Sequence, residues 1–267
     1  MPELAEVEYM RRRWNPALGQ EVRAVRMHRE AKVFRGTSPW HLTRALKNST
    51  FQASEARGKQ MLFRFAPGGW LGIHLGMTGE LEVLGPGHRP VRHEHLVLQM
   101  DLLSLVFRDP RLFGRVRFDP GANRPEWWTS LPPDLQGSGF RRADLDQFLD
   151  RRARSPIKAG LLMQERFPGV GNWMADEILW RSRIRPGRRC GDLDDEERDR
   201  LYREIRSVVR GALKHISRPG EHWGDPPSGW LFHQRWSAGG HCPKTGELLV
   251  RDKIGGRTTC WSPAWQI

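Results

Sequence analysis

The chain opens Met1-Pro2-Glu3, and these residues hold the ingredients of covalent amine chemistry. Proline is small enough for removal of the initiator methionine, which would expose the secondary amine of Pro2. An α-amino group has a pKa of about 7.7–8.0, so an appreciable fraction is unprotonated near neutrality. Such an amine can attack an electrophilic sugar carbon and form an iminium ion. A carboxylate one residue away, Glu3, could protonate the sugar ring oxygen and shuttle protons in the eliminations that follow. The same dipeptide is also a good helix start, so alone it leaves both readings open.

Two further patterns carry chemistry. Phe167-Pro-Gly-Val-Gly-Asn172 runs into an apolar helical stretch, Trp173 to Leu179. Its two glycines allow close backbone approach, and Asn172 stands at a helix N-terminus, where exposed amides bind phosphate. That suits a DNA backbone clamp, and equally an ordinary glycine-rich turn between helices. The C-terminal stretch from His241 to Ile267 reads as a two-stranded hairpin around Gly246 to Gly256. Two Cys-x-x-Cys pairs there would signal zinc. Instead Cys242 is followed by Thr245, and the far side reads Ser262 and Trp265, with Cys260 just before. The expectation is therefore no metal and no cofactor, with Trp261 and Trp265 packing the hairpin in place of zinc.

Composition narrows the partners. With 44 Lys+Arg against 31 Asp+Glu in 267 residues, the formal charge is +13 and the pI about 10.7. A polyanionic partner is expected, since basic groups near phosphates release condensed counterions. No apolar run approaches the roughly 20 residues needed to cross a bilayer, so no membrane partner is expected. Glu3, Glu6 and Glu8 occupy the start, where an export signal would be positive. Three cysteines are too few for a disulfide scaffold in a chain of this size, and a cytoplasmic location, associated with the nucleoid in a prokaryote, fits best. A monomer is the default expectation.

The elements that must position these residues follow from periodicity. Pro2 to about Trp14 reads as a helix with Leu4, Val7, Met10 and Trp14 on one face. Short β-like runs follow at Phe51–Ala53, Met61–Phe65, Leu71–Leu75, Leu81–Leu84, Leu96–Met100, Leu103–Phe107 and Val116–Phe118. Their density, with Gly, Pro and Asp between them, predicts an antiparallel sandwich or barrel over about 15–120. After a proline-bearing linker come apolar helical stripes: Leu145, Phe148 and Leu149; Ile157, Leu161 and Leu162; and Ile178 with Leu179. Asp192 could cap a longer helix carrying Leu201, Ile205, Val208, Val209 and Leu213, and Arg218 to Ser228 reads as loop. The expected plan is multidomain α+β: a β-sandwich catalytic domain over 1–122, a linker over 123–134, a helical domain over 135–228 and a hairpin finger over 229–267.

Together these residues resemble the formamidopyrimidine-DNA glycosylase/endonuclease VIII family along nearly the whole chain. The matches, in order, are Pro2-Glu-Leu-Ala-Glu-Val-Glu8, Gly58-Lys59, His74–Gly79, Asp109–Gly114, Gly169–Asn172 and Gly255–Arg257. The resemblance implies Pro2 as nucleophile, Glu3 as proton-transfer residue, Lys59 in the catalytic set and Glu6 in support. It implies that Lys59, His74, Asn172 and Arg257 hold phosphates of a bent duplex while the damaged nucleotide is flipped out. Met77, Arg111 and Phe113 would fill the hole in the stack, a trio that favours oxidised purines, and Lys158 is a further candidate for contact near the base. The implied partner is double-stranded DNA with damaged bases or abasic sites, cut by β,δ-elimination, on a helix–two-turn–helix fold.

Departures are Ala5 in place of a second proline, Met174 where an aromatic residue is common, the 218–228 loop, and the altered hairpin, which resembles a zincless finger. Two rival readings accompany this one. One is the same chemistry on oxidised pyrimidines or other lesions; the other is a non-catalytic binder of damaged DNA.

Overall fold

Apolar residues on alternate positions decide the first half of the molecule. In the strand Gln60–Ala66, Met61, Phe63 and Phe65 enter one buried cluster, while Leu62 on the opposite face packs with Trp70 and Trp128. A computed structural model describes all residues except Pro219 and Glu221. It divides the chain into two units: residues 1–2, 6–131 and 219–223, and residues 3–5, 132–218 and 224–267. The break at 131 falls inside the segment expected as a linker, and the finger hairpin shares one unit with the helices.

The first unit holds most of helix α1 (Leu4–Arg13), strand β1 (Ala24–Met27) and helix α2 (Pro39–Leu46). Strands β2 (Thr50–Arg57), β3 (Gln60–Ala66), β4 (Gly69–His74) and β5 (Glu80–Leu84) follow. Strands β6 (Glu94–Gln99), β7 (Ser104–Arg108) and β8 (Arg115–Pro120) and the short helix α3 (Glu126–Thr129) complete it. Two four-stranded antiparallel sheets form, ordered β1-β6-β7-β5 and β2-β3-β4-β8. Their inner faces share a core: Leu81, Leu96, Leu105 and Phe107 from one, Phe51, Phe63, Leu71 and Ile73 from the other. Val7, Met10 and Trp14 of α1 join it, and the Trp14 indole N–H donates to the Glu82 carbonyl at 3.1 Å.

All seven sequence-derived strands are present. The eighth, β1, carries only Val25 and Met27 against the core and is formed by its pairing with β6. Helix α2 also went unread, although its signal is local. Ser38 accepts from the His41 N–H at 3.4 Å, and Pro39 takes the first turn.

The second unit holds α4 (Arg142–Arg151), α5 (Ile157–Leu161), α6 (Asn172–Ser182), α7 (Asp195–Ile216) and a hairpin of β9 (Val250–Ile254) with β10 (Arg257–Trp261). The expected stripes meet in one core, with Leu145 and Leu149, Ile157 and Leu161, and Leu201, Ile205, Val208 and Val209 facing an α6 that is buried nearly all round. The cap of α7 is Asp194, not Asp192. Asp194 accepts from Glu197 N–H at 2.8 Å, and Glu197 accepts in return from Asp194 N–H at 3.0 Å. Asp192 has no Glu or Gln three residues on to close such a box, and it ends a 3₁₀ turn instead. Across 218–228 the described residues form no helix or strand, and Pro219 and Glu221 of that loop lie outside them. The hairpin turns at Gly255-Gly256, both left-handed (φ +59° and +74°), and its ladder pairs 250–254 with 257–261. Among the described residues no helix is long and apolar enough to cross a membrane.

Candidate active site and nucleic-acid interface

In the second unit the glycine-rich turn and the N-terminal segment build one site. Glu3 is buried, and its carboxylate accepts three backbone N–H groups: Gly171 at 2.9 Å, Trp173 at 2.9 Å and Met174 at 3.1 Å. These donors open α6, where unpaired amides and the helix dipole favour negative charge. The Leu4 N–H also donates to the Gly169 carbonyl at 3.1 Å, which fixes the backbone just after Glu3. Gly169 is left-handed, with φ +89°. Gly171 is required for space instead, since a Cβ there would stand 2.5 Å from the Glu3 Cγ and closer still to its carboxyl group. The close approach anticipated at this turn is thus made by a side chain of the same protein. Pro2, partly exposed, precedes Glu3 outside the helix. Glu6 lies in the first turn of α1.

The first unit groups the other candidates. Lys59 occupies the two-residue β2–β3 turn after left-handed Gly58 (φ +59°) and is largely buried. His74 ends β4, one strand across, opposite Gln60. Burial, with Lys59, Arg117 and Arg35 nearby, pushes the His74 pKa down to about 4, so the ring is neutral at physiological pH. Its Nδ1 accepts from the Gly76 N–H at 3.0 Å, which places the proton on Nε2 as a donor.

Just beyond, two loops present large exposed side chains. Met77 and Phe113 are 42% and 51% exposed, far above what such residues show in a core. The Arg111 guanidinium lies over the Phe113 ring at 4.9 Å. Left-handed Gly76 (φ +65°) lets the loops close on each other, because a Cβ there would come within 2.5 Å of the Phe113 backbone. Buried Asp109 pins both. Its carboxylate accepts from Thr78 Oγ1 at 2.8 Å, Arg111 N–H at 3.2 Å and Gly114 N–H at 2.6 Å. The three side chains expected to fill a void are therefore neighbours on a braced, solvent-facing surface.

Asn172 and Arg257 come together in the second unit. Asn172 is the first residue of α6, and its Nδ2 donates to the Thr258 carbonyl at 2.8 Å. Arg257, exposed, begins β10 immediately before. Lys158 departs from its expected place. It is wholly buried, ion-paired with Asp176, and donates to the Asn172 carbonyl at 2.9 Å. Its ammonium is therefore turned inward and not exposed for a contact with DNA. Sequence reading passed over Asp176 and Arg235, although two adjacent acids inside an otherwise apolar helical stretch, Asp176-Glu177, are a signal of buried polar structure.

The finger's four positions read Cys242, Thr245, Ser262 and Trp265, a set with one thiol that does not suit tetrahedral zinc. Among the described residues no group of three or more His, Cys, Asp or Glu is arranged to hold a metal ion. The Trp180 indole N–H donates to Cys242 Sγ at 3.4 Å, and the Trp265 indole N–H donates to the Trp180 carbonyl at 3.0 Å. Burial raises the Cys242 pKa, but the polar groups of Thr245, Ser262, Trp180 and the Lys244 backbone beside the sulfur outweigh it and bring the thiol down to about 7. Trp261 donates to Asp252 at 2.9 Å across the hairpin. Hydrogen bonds and indole packing occupy the finger's base, with Leu231 and Leu249 around them.

The chain is similar to known proteins along its length. Residues 1–116 match the model of the formamidopyrimidine-DNA glycosylase N-terminal domain, and residues 132–218 match that of the H2TH domain of the same enzyme. The formamidopyrimidine-DNA glycosylase of Thermomicrobium roseum is 33% identical, with the whole of this chain and 99% of the relative covered. That of Thermus thermophilus is 34% identical, covering the whole chain and 98% of the relative. A structure of Lactococcus lactis Fpg with DNA containing an abasic site shares the fold, with a TM-score of 0.87 at 24% identity and 99% of each chain covered. Matched in both domain models and along its full length, the chain belongs to the formamidopyrimidine-DNA glycosylase family.

Proposed function

We propose that this protein is a bifunctional DNA glycosylase and abasic-site lyase of base excision repair, acting on oxidised purines such as 8-oxoguanine and formamidopyrimidines. The observation that carries the reading is the Glu3 carboxylate seated on three amides of the α6 N-terminus, one residue from Pro2. After Met1 is removed, the Pro2 amine attacks the sugar C1′, and the proton its nitrogen gives up passes through the Glu3 carboxylate to the ring oxygen. The glycosidic bond breaks, the damaged base leaves, and an iminium ion joins Pro2 to the opened sugar. Loss of a C2′ proton expels the 3′ phosphate, and a second elimination expels the 5′ phosphate.

Lys59, neutral His74, Asn172 and Arg257 would hold phosphates, with His74 donating a hydrogen bond through Nε2 rather than carrying charge. Met77, Arg111 and Phe113, exposed and adjacent, suit insertion into the stack left by a flipped nucleotide. Their presence favours the oxidised-purine reading over oxidised pyrimidines. DNA binding as a monomer, a cytoplasmic location and a finger without stoichiometric zinc complete the proposal. Metal analysis of chelator-washed protein is expected to find well under one zinc per chain, and one per chain would overturn that last point.

The test is borohydride trapping on duplexes carrying an abasic site or 8-oxoguanine opposite cytosine. A covalent protein–DNA band is expected on both, and its loss in Pro2→Gly ties it to the amine. A band on the abasic site alone would retain the lyase and redirect the lesion search. No band on either would favour a non-catalytic binder.

A further inference from the structure

One buried carboxylate in the second unit joins four separate stretches of chain. Asp176 Oδ1 pairs with Lys158 of α5. Its Oδ2 accepts from Arg235 Nη2 at 2.5 Å and Nε at 3.2 Å, and from the Cys260 N–H of β10 at 3.2 Å. Asp176 and Lys158 are fully buried and Arg235 is 6% exposed, so these partners replace water for all three charges.

The spacing of these bonds is informative. Asn172 and Asp176 stand four residues apart on α6, on one face and separated by about 6 Å of helical rise. They bind the Thr258 carbonyl and the Cys260 N–H, two residues apart on β10 and about 6.8 Å along a strand. One edge of β10 is therefore fastened along α6 at two matched points, and Arg257 is the next residue beyond the first. Lys158 closes the loop by holding the Asn172 carbonyl. A two-stranded hairpin is marginally stable by itself, and these bonds to α6 add to the apolar cluster that holds this one.

We infer that Asp176 is the positioning residue that fixes Arg257 and Asn172 in one phosphate-binding arrangement. The inference rests on the function proposed above for what those two side chains bind. Asp176 touches no substrate and acts through β10 and through Lys158.

The experiment compares wild type with Asp176→Asn and Arg235→Met. The second leaves the Lys158–Asp176 pair balanced, so it stays folded if the first does not. Hydrogen exchange of β10 amides, measured without DNA, reads the anchor itself. Exchange at Cys260 is expected to accelerate at least tenfold in Asp176→Asn, and less in Arg235→Met. Binding to a duplex with an uncleavable tetrahydrofuran abasic analogue is then followed against salt. The expected Kd rises tenfold or more in Asp176→Asn, and the log–log salt slope falls by about 1, the value of one phosphate contact. Strand cleavage at saturating protein on abasic DNA stays within about threefold of wild type, which separates lost positioning from lost chemistry. A folded variant with wild-type exchange at Cys260 overturns the inference whatever the DNA data show. Faster exchange with an unchanged affinity and salt slope overturns the positioning role. If wild type itself does not recognise the lesion duplex, the proposed function fails, and the exchange data still decide whether Asp176 anchors the hairpin.

Discussion

Replacing Gly171 by alanine isolates the placement of Glu3 from the rest of the fold. The added methyl would overlap the Glu3 carboxyl group, which is the far end of a flexible side chain and can swing away. The backbone at Gly171 has φ −119°, so alanine introduces no left-handed strain. Swinging away forfeits the amides of Gly171, Trp173 and Met174. Hydrogen bonds to a charged group contribute about 1.5–3 kcal/mol each, and water recovers part of that for a displaced carboxylate. A net cost of about 3–4 kcal/mol for regaining the productive position corresponds to a rate loss of roughly 10²–10³-fold. That lies within the contribution of a positioned proton-transfer group, about 10²–10⁴-fold. The assay is single-turnover cleavage of abasic duplex at saturating protein, with borohydride trapping and a melting curve as controls. Gly171→Ala is expected to melt within a few degrees of wild type, bind the tetrahydrofuran duplex normally and cleave at least a hundredfold more slowly. A folded variant cleaving within threefold of wild type would refute the reasoning, because Glu3 would then work from elsewhere.

Three further outcomes follow from charge. Arg257→Ala is expected to lower the salt slope of DNA binding by about 1, whereas His74→Ala weakens binding without changing the slope, because a group with a pKa near 4 is uncharged at pH 7. A slope change in His74→Ala would show that the bound imidazole is protonated. Burial raises the Glu177 pKa to about 8 from 4.5, so between these values the folded protein holds a proton that the unfolded chain releases. Stability from this group therefore falls as pH rises from about 4.5 to about 8 and is level above. Glu177→Gln keeps the neutral form, and is expected to match wild type near pH 5 and exceed it by about 1–3 kcal/mol at pH 8 in urea melts. Parallel pH profiles for the two proteins would refute this.

How much was legible beforehand depended on whether the information was local. The strands from β2 to β8 announce themselves through alternating apolar residues and turn-forming glycines and prolines, since a sheet face and a turn each impose their pattern within a few residues. Helix α7 was legible for the same reason, yet its cap was misplaced by two residues, although Glu197 three residues after Asp194 already marks the capping box that the structure closes. Strand β1 was missed because its pairing with β6 rather than its own composition makes it a strand.

The same division runs through the site. By itself the sequence determined the candidate groups: Pro2-Glu3 at the start of the chain, Lys59 after a turn glycine, the Met77, Arg111 and Phe113 set, and a finger with one thiol among four positions. These are matters of residue type and short spacing, which the chain carries linearly. Only tertiary structure decided what each group touches. It seats Glu3 on amides 168 to 171 residues away, turns Lys158 from a candidate contact into a buried ion pair, and makes His74 neutral through burial and three nearby cations. It also reveals Asp109 and Asp176 as braces, since a carboxylate's role is set by the donors that folding brings to it. Desolvation and hydrogen bonding depend on neighbours in space, and no local pattern in the sequence specifies those neighbours.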